Sequence, residues 1–285
     1  MQLIDSHAHL DFEDFHGDFD TVLHRAEQSG VENIISIGVD LTQSGKVVTL
    51  AENYPNIFAT VGVHPEEMGG INLETLHDDL LELAKSSKKI VGIGETGLDY
   101  YTSPSVIPAK AGIQGSVALD PSSRAGMTRE LKERQKQLFQ IHIDVAKHLG
   151  LPLVVHIRNG EDEEAANTAF EILKDSGYTK GVIHCFTLNA DWAKRFVGLG
   201  FKIGFTGIVT YKSAEEIREA ASSLSLQDIL LETDCPFLAP QKYRGQRNEP
   251  SYVTEVALKI AEIKGITLEK VAKQTTINVK ELFNI

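Results

Sequence analysis

His7 and His9 stand two residues apart in the string DSHAHLDF. In an extended segment that spacing turns both side chains to the same side, and two imidazoles aimed at one point can hold a metal ion. An HxH pair by itself reads equally well as two hydrogen-bonded histidines; at the end of a first strand the metal reading prevails. His156 in LPLVVHIR and His184 in HCF each close an apolar run. A lone histidine there is usually a packed one, but a pair at consecutive strand ends points to a shared second metal. Glu95, inside GIGETGLDYY, is a carboxylate that is costly to bury unless paired or metal-bound, and it is expected to bridge the two histidine clusters. Asp234 in TDCPFLAP is expected to ligate the first metal and to take a proton from an attacking water. Glu232 either shares that face or makes a structural hydrogen bond, and the structural role is the expectation. Cys185 and Cys235 adjoin ligand positions, yet as small residues at strand ends they are expected to be inert, reduced thiols.

These residues act together only if the chain brings them to one place. Short runs rich in Val and Ile predict strands at 2–5, 33–38, 58–63, 90–95, 152–156, 181–184, 202–205 and 229–233. They lack clean polar alternation, which suits strands buried on both faces of a parallel sheet. Amphipathic segments between them predict helices at 19–29, 44–53, 73–85, 129–149, 161–176, 190–199 and 214–224, with two more at 251–263 and 268–283. Eight strands alternating with helices in 285 residues predict an α/β fold of the (β/α)8 TIM-barrel type, one domain over 1–285. In such a barrel, chemistry collects at the C-terminal strand ends. His7, His9, His64, Glu95, His156, His184 and Asp234 all fall there. The segment 102–128 breaks the pattern with Pro, Ala, Gly and Ser, and reads as a loop insertion, either a lid over the site or a tolerated surface excursion. Neither a GxGxxG after the first strand nor a Walker lysine motif is present.

A formal net charge of -12 argues against a general nucleic-acid coat. It does not exclude a nuclease, because bound divalent cations add positive charge locally. No apolar stretch approaches the roughly 18 residues a membrane span needs, and Met1–Asp5 has no basic run leading into an apolar one. A cytoplasmic protein with no membrane contact and no obligate protein partner is expected.

The strings DSHAHLDF, GVHPE, GIGETGLDYY, LPLVVHIR, HCF and TDCPFLAP, followed by RGQRNEPSYV, occur in that order between Asp5 and Val253. Together they resemble the signature blocks of the TatD family of metal-dependent deoxyribonucleases, within the amidohydrolase-like superfamily. The resemblance implies a (β/α)8 barrel with magnesium-dependent nuclease activity. Carried over by motif, it implies His7, His9, Glu95 and Asp234 around one metal, and Glu95, His156 and His184 around the other. The chain departs from the pattern in the 102–128 segment, where family members make a short connection, and at Ile157, where Ser is frequent; both leave the ligand motifs intact. Imidazole-rich sites suit zinc, manganese or iron better than magnesium, which prefers oxygen. Two divalent ions are therefore expected, with Mg2+ or Mn2+ supporting activity and Zn2+ a candidate for the bound ion.

The expected reaction is exonucleolytic hydrolysis of DNA, at single strands or 3′ ends, by water activated between two ions about 3.5–4 Å apart. Asp234 would relay the proton as general base and then acid. His64 and Arg158 are candidates for phosphate contact; Arg244, Arg247 and Asn248, after the last strand, are weaker ones. Tyr100 and Tyr101 either stack a base or belong to the core. Two other readings compete. One is a superfamily hydrolase of a small ester, amide or lactone; such enzymes often bridge their metals with a modified lysine where this chain has Glu95. The other is a barrel that binds metal or ligand without catalysis.

Overall fold

Apolar runs with no polar face can be buried only between two apolar layers, and every one of those expected forms a strand. The computed structural model describes residues 2–101 and 128–285. Its strands are β1 (Leu3–Ala8), β2 (Val31–Ile37), β3 (Ile57–Val61), β4 (Ile90–Asp99), β5 (Leu153–Arg158), β6 (Gly181–Ile183), β7 (Lys202–Phe205) and β8 (Ile229–Leu231). They lie parallel in sequence order. The helices are α1 (Phe19–Gln28), α2 (Leu41–Asn53), α3 (Leu73–Lys85), α4 (Arg129–Leu149), α5 (Glu164–Ser176), α6 (Ala190–Gly198), α7 (Glu215–Ser223), α8 (Val253–Lys264) and α9 (Leu268–Phe283). β8 returns to β1, where Asp234 N–H donates to His7 O at 2.9 Å and His9 N–H to Cys235 O at 2.8 Å. The result is the (β/α)8 barrel that the alternation predicts. The expected insertion at 102–128 lies outside the described residues except for Thr128, which caps α4 by accepting the Leu131 N–H. None of the described helices is long and apolar enough to cross a membrane.

Several strands run further than their apolar stretches. β1 includes His7, β4 continues past Glu95 to Asp99, and β5 continues past His156 to Arg158. Polar residues extend these strands because His7, Glu95, Asp99, His156 and Arg158 find buried partners in one another at the barrel mouth. Residues of alternating parity separate two cores. Leu3, Ile34, Leu153, Val155, Ile183, Ile229 and Leu231 pack outward under the helices. Ile4, Ile35, Val91, Val154, Val182 and Leu230 form a second cluster with Val279, Leu282 and Phe283 of α9. The C-terminal helix thus closes the bottom of the barrel. The same alternation, continued two residues at a time from Val154, Val182 and Leu230, carries His156, His184, Glu232 and Asp234 onto the inner face at the top.

Two side chains of α4 hold loops at that rim. Gln135 clamps Asp99 from both sides, accepting its N–H at 2.9 Å and donating to its carbonyl at 3.0 Å. His142 is buried, accepts the Val63 N–H at 2.9 Å, and bonds Leu138 O through Nδ1 at 2.8 Å. Burial lowers its pKa from the ordinary 6.5 to about 4. The unfolded chain therefore binds a proton between these values that the folded protein refuses. Native stability should fall by up to about 3 kcal/mol as pH drops through this window. His142→Ala should cost about 2–4 kcal/mol near pH 8, from the cavity and the orphaned Val63 N–H. That deficit should shrink between pH 6.5 and 4. Denaturant titrations of both proteins across pH check this; a constant gap would show that the ring titrates normally.

Candidate metal centre

Placement of the site begins with backbone irregularity. The β1–β2 register shifts between Asp5 and Ala8, around His7, and the β4–β5 register shifts between Ile93 and Thr96, around Glu95. Such irregularities re-aim side chains beside active sites. Gly94 and Gly97 bracket Glu95 at φ +139° and +132°, and a Cβ on Gly97 would sit 2.1 Å from His156 O. Only glycine allows β4 to lie this close to β5 here. On β1, Asp5 accepts the Thr233 N–H at 2.9 Å and the Thr233 hydroxyl at 2.6 Å. Burial raises its pKa to about 7 in spite of these bonds. This buried link pins the Asp234 turn to the strand that carries His7.

Around Glu95 the side chains form two groups. His7 Nε2 lies 3.4 Å and His9 Nε2 3.9 Å from Oε2. His184 Nε2 lies 2.8 Å, His156 Nδ1 3.0 Å and His64 Nε2 3.4 Å from Oε1. Asp234 Oδ1 closes the first group at 3.3 Å from His9 and 3.5 Å from His7. The donor atoms of His7, His9 and Glu95 lie within 4.8 Å of one another, as do those of Glu95, His156 and His184. Glu95 is common to both sets. Asp234 sits at φ +58° and Cys185, next to His184, at +45°, a conformation costly for side chains other than Gly, Asn and Asp.

This arrangement fits a divalent cation better than protons. His7 Nε2 and His9 Nε2 are 3.3 Å apart, and His156 Nδ1 and His184 Nε2 3.2 Å apart. Hydrogens on both members of either pair would collide, whereas convergent lone pairs are what a metal ion takes. The charge balance shows the same conflict. Burial lowers His7 to about 4, helped by the nearby His184, whose ring stacks on it at 3.9 Å. Burial also opposes charge on His156, but hydrogen bonds to Asp99 and Glu95 outweigh it and hold that ring up to about 10. For Glu95, burial is overcome by His184, His64 and His156, which keep it well below the usual carboxylate range. Asp234 is likewise lowered against burial by His9 and His7.

His64 plays a different part from the other imidazoles. Its Nδ1 accepts the Glu66 N–H at 3.1 Å, which leaves Nε2 to present its hydrogen toward Glu95. It is a donor aimed into the centre. Arg158 stands behind the metal groups, with Nε 3.2 Å from Asp99 Oδ1 and its guanidinium 4.4 Å from the Tyr101 ring. Tyr100 is buried and Tyr101 exposed. The weaker candidates are occupied elsewhere. Arg247 is paired with Asp18 at 2.7 and 2.8 Å. Buried Asn248 ties the loop after β8 to Thr233 O and Phe237 O, and Arg244 lies over Tyr211. Glu232 accepts the Cys185 N–H and fixes the His184 turn, while burial pushes its pKa to about 8. Burial also pushes the thiols of Cys185 and Cys235 well up, and neither is in a disulfide.

Sequence reasoning missed Asp99. Its Oδ2 lies 3.0 Å from His156 Nε2, and its Oδ1 accepts the Tyr101 N–H at 3.0 Å. The far nitrogens of His7, His9 and His184 find no hydrogen-bond partner among the described residues, although Glu232 Oε1 lies 3.7 Å from His184 Nδ1; of these four rings, His156 is the one whose far nitrogen is within hydrogen-bond distance of a carboxylate. Such outer carboxylates fix a ligand's orientation and raise its basicity. Asp99→Asn should weaken uptake of Zn2+ or Mn2+ by about 10–100-fold, read by calorimetric titration of the apoprotein. Unchanged affinity would make Asp99 a support for the loop alone. The signal was available in principle: Asp99 ends β4, opposite Arg158 in the β5 register.

A parallel barrel with histidines and carboxylates gathered at the C-terminal ends of its strands defines the metal-dependent hydrolase class. Within that class, the TatD related DNase family profile matches residues 4–284. The chain is 35% identical to the Bacillus subtilis protein YabD, over 99% of each chain. It is 36% identical to Escherichia coli YcfH, covering all of this chain and 97% of that one. Both relatives carry the name uncharacterized metal-dependent hydrolase. Among solved structures, the TatD homolog YjjV from E. coli superimposes with a TM-score of 0.83 at 30% identity, over 99% of this chain and 98% of that one. The chain belongs to the TatD family of metal-dependent hydrolases.

Proposed function

We propose that this chain is a deoxyribonuclease that hydrolyses phosphodiester bonds of DNA, at single strands or 3′ ends, with two divalent ions. The observation that carries the reading is the division of Glu95: Oε2 faces His7 and His9, and Oε1 faces His156 and His184. One carboxylate between two imidazole groups is the arrangement expected of a bridging ligand. DNA as the substrate is supported by the family to which the chain belongs.

In this reading His7, His9, Glu95 and Asp234 would hold one ion, and Glu95, His156 and His184 the other. When bound, the ions would acidify water and offset charge on phosphoryl oxygens. The chain's own groups supply the rest. Asp234 is held ionised, so it takes the proton from water as the new O–P bond forms. It returns that proton to the leaving oxygen as the old O–P bond breaks. His64 Nε2–H donates to a phosphoryl oxygen, and Arg158 adds positive charge at the rim. Imidazole-rich ligation favours Mn2+ or Zn2+ over Mg2+ as the tightly held ion.

Purified protein incubated with end-labelled single-stranded DNA, with EDTA, Mg2+ or Mn2+, tests the reading. Cation-dependent release of mononucleotides is expected. Hydrolysis of small esters or lactones without DNA cleavage would replace it with a small-molecule hydrolase, and neither activity would leave a binding barrel.

A further inference from the structure

Among the described residues, four large apolar side chains stand exposed: Tyr101 at 46%, Leu131 at 40%, Phe237 at 50% and Leu258 at 47%. Both leucines lie on outer helices, α4 and α8. Both aromatics lie at the metal centre, Tyr101 two residues after Asp99 and Phe237 three residues after Asp234. Tyr101 has Arg158 over its ring. Phe237 has no cation over its ring among the described residues. It meets its neighbours edge-on instead, Phe12 at 5.8 Å and 79°, and the ligand His9 at 6.2 Å and 63°. Phe12 in turn stacks on His9 at 5.0 Å. An aromatic ledge therefore runs from a metal ligand out to an exposed ring.

The backbone that carries the ring is held in place. Phe237 N–H donates to Asp234 O at 3.0 Å, and the buried Asn248 amide donates to Phe237 O at 2.6 Å. Asp234 and Leu238, on either side, both have positive φ, 58° and 54°. Opposite this loop, Gly207 leaves room that a Cβ would take, 2.4 Å from Leu238 O. An exposed aromatic on a fixed backbone, continuous with Phe12 and His9 at the site mouth, has the makings of a recognition surface.

We infer that Phe237 is a stacking platform for the nucleobase adjoining the scissile phosphate, with Phe12 as its buttress. The inference rests on the nuclease reading. A phosphate held at the metal groups must carry its base to one side, and a base offers a π-face whatever its identity, so stacking recognises single strands without choosing sequence. Asn248, considered from sequence as a phosphate contact, acquires a positioning role through the Phe237 carbonyl.

The test compares an oligothymidylate with an abasic tetrahydrofuran oligomer of equal length, using metal-loaded protein and Mn2+. Wild type is expected to cleave the base-bearing strand with about tenfold higher kcat/KM, a size typical of one stacked base. Phe237→Ala should bring that ratio close to one, mainly through KM, with metal content unchanged by elemental analysis. Phe237→Trp, which keeps a π-face, should retain the preference and guards against a misfolded alanine variant. Cleavage of both strands at equal rates by wild type would overturn the platform while leaving the nuclease standing. So would an alanine variant that keeps the preference, or a tryptophan variant that loses it. Cleavage of neither strand would overturn the nuclease reading, and the platform with it.

Discussion

Glu95→Gln should lower turnover of DNA by roughly ten-thousand-fold or more and bring metal content per chain close to background. Glutamine keeps the shape and one acceptor oxygen, so the substitution isolates charge and bridging. Both oxygens of Glu95 are engaged from opposite sides, by His7 at 3.4 Å and by His184 at 2.8 Å. Losing the carboxylate therefore damages both groups at once, where loss of a single histidine damages one. Elemental analysis of purified variant and wild type reads the metal directly. A second readout is independent of activity: chelation should lower the melting temperature of the wild type, because bound metal stabilises the folded state by mass action, and should leave the variant nearly unmoved. If Glu95 were only a hydrogen-bond acceptor for the surrounding imidazoles, glutamine would serve almost as well and metal content would hold.

The barrel was legible because its signals are cumulative. The strand at 181–183 and the start of the one at 153–158 are apolar runs, and each strand is followed by an amphipathic helix. The clustering of the candidate ligands was legible through topology: in a parallel barrel every C-terminal strand end faces one rim, so residues far apart in sequence, His7 and Asp234 among them, meet without any local signal. Strand ends were harder to place. β4 runs on through Glu-Thr-Gly-Leu-Asp, where loss of apolar character resembles the start of a loop. Its polar groups are in fact buried against the histidines. α2 begins at Leu41 rather than at the expected Ser44 because Asp40 caps it, accepting the Gln43 N–H; the first turn carries no apolar periodicity. Asp5, Asp99, Gln135 and His142 escaped notice because a buried polar residue betrays itself only through its partner. Those partners, Thr233, His156, the Asp99 backbone and Val63, lie between 36 and 228 residues away.

Asp234→Asn should lower turnover by about a thousand- to ten-thousand-fold while metal content stays largely intact, because His7, His9 and Glu95 remain to hold the ion. Asparagine is the informative replacement for a backbone reason. Position 234 has φ +58°, a region that Asn and Asp enter far more readily than Ala. Alanine would add about 1–2 kcal/mol of backbone strain and shift the Asp234 N–H that bonds His7 O at 2.9 Å. Asparagine preserves that link and keeps an oxygen near His9, but it cannot take a proton from water. The pH profile separates this role from plain ligation. His9 and His7 outweigh burial and depress the Asp234 pKa, so the carboxylate is ionised throughout the neutral range and is lost as pH falls through its lowered value. The acid limb of kcat/KM should carry this group in wild type and lack it in the variant, measured with saturating metal at each pH. A variant that turns over within tenfold of wild type would transfer the proton relay to another group. Glu232, buried behind His184 with a raised pKa near 8, would then be the next carboxylate to replace.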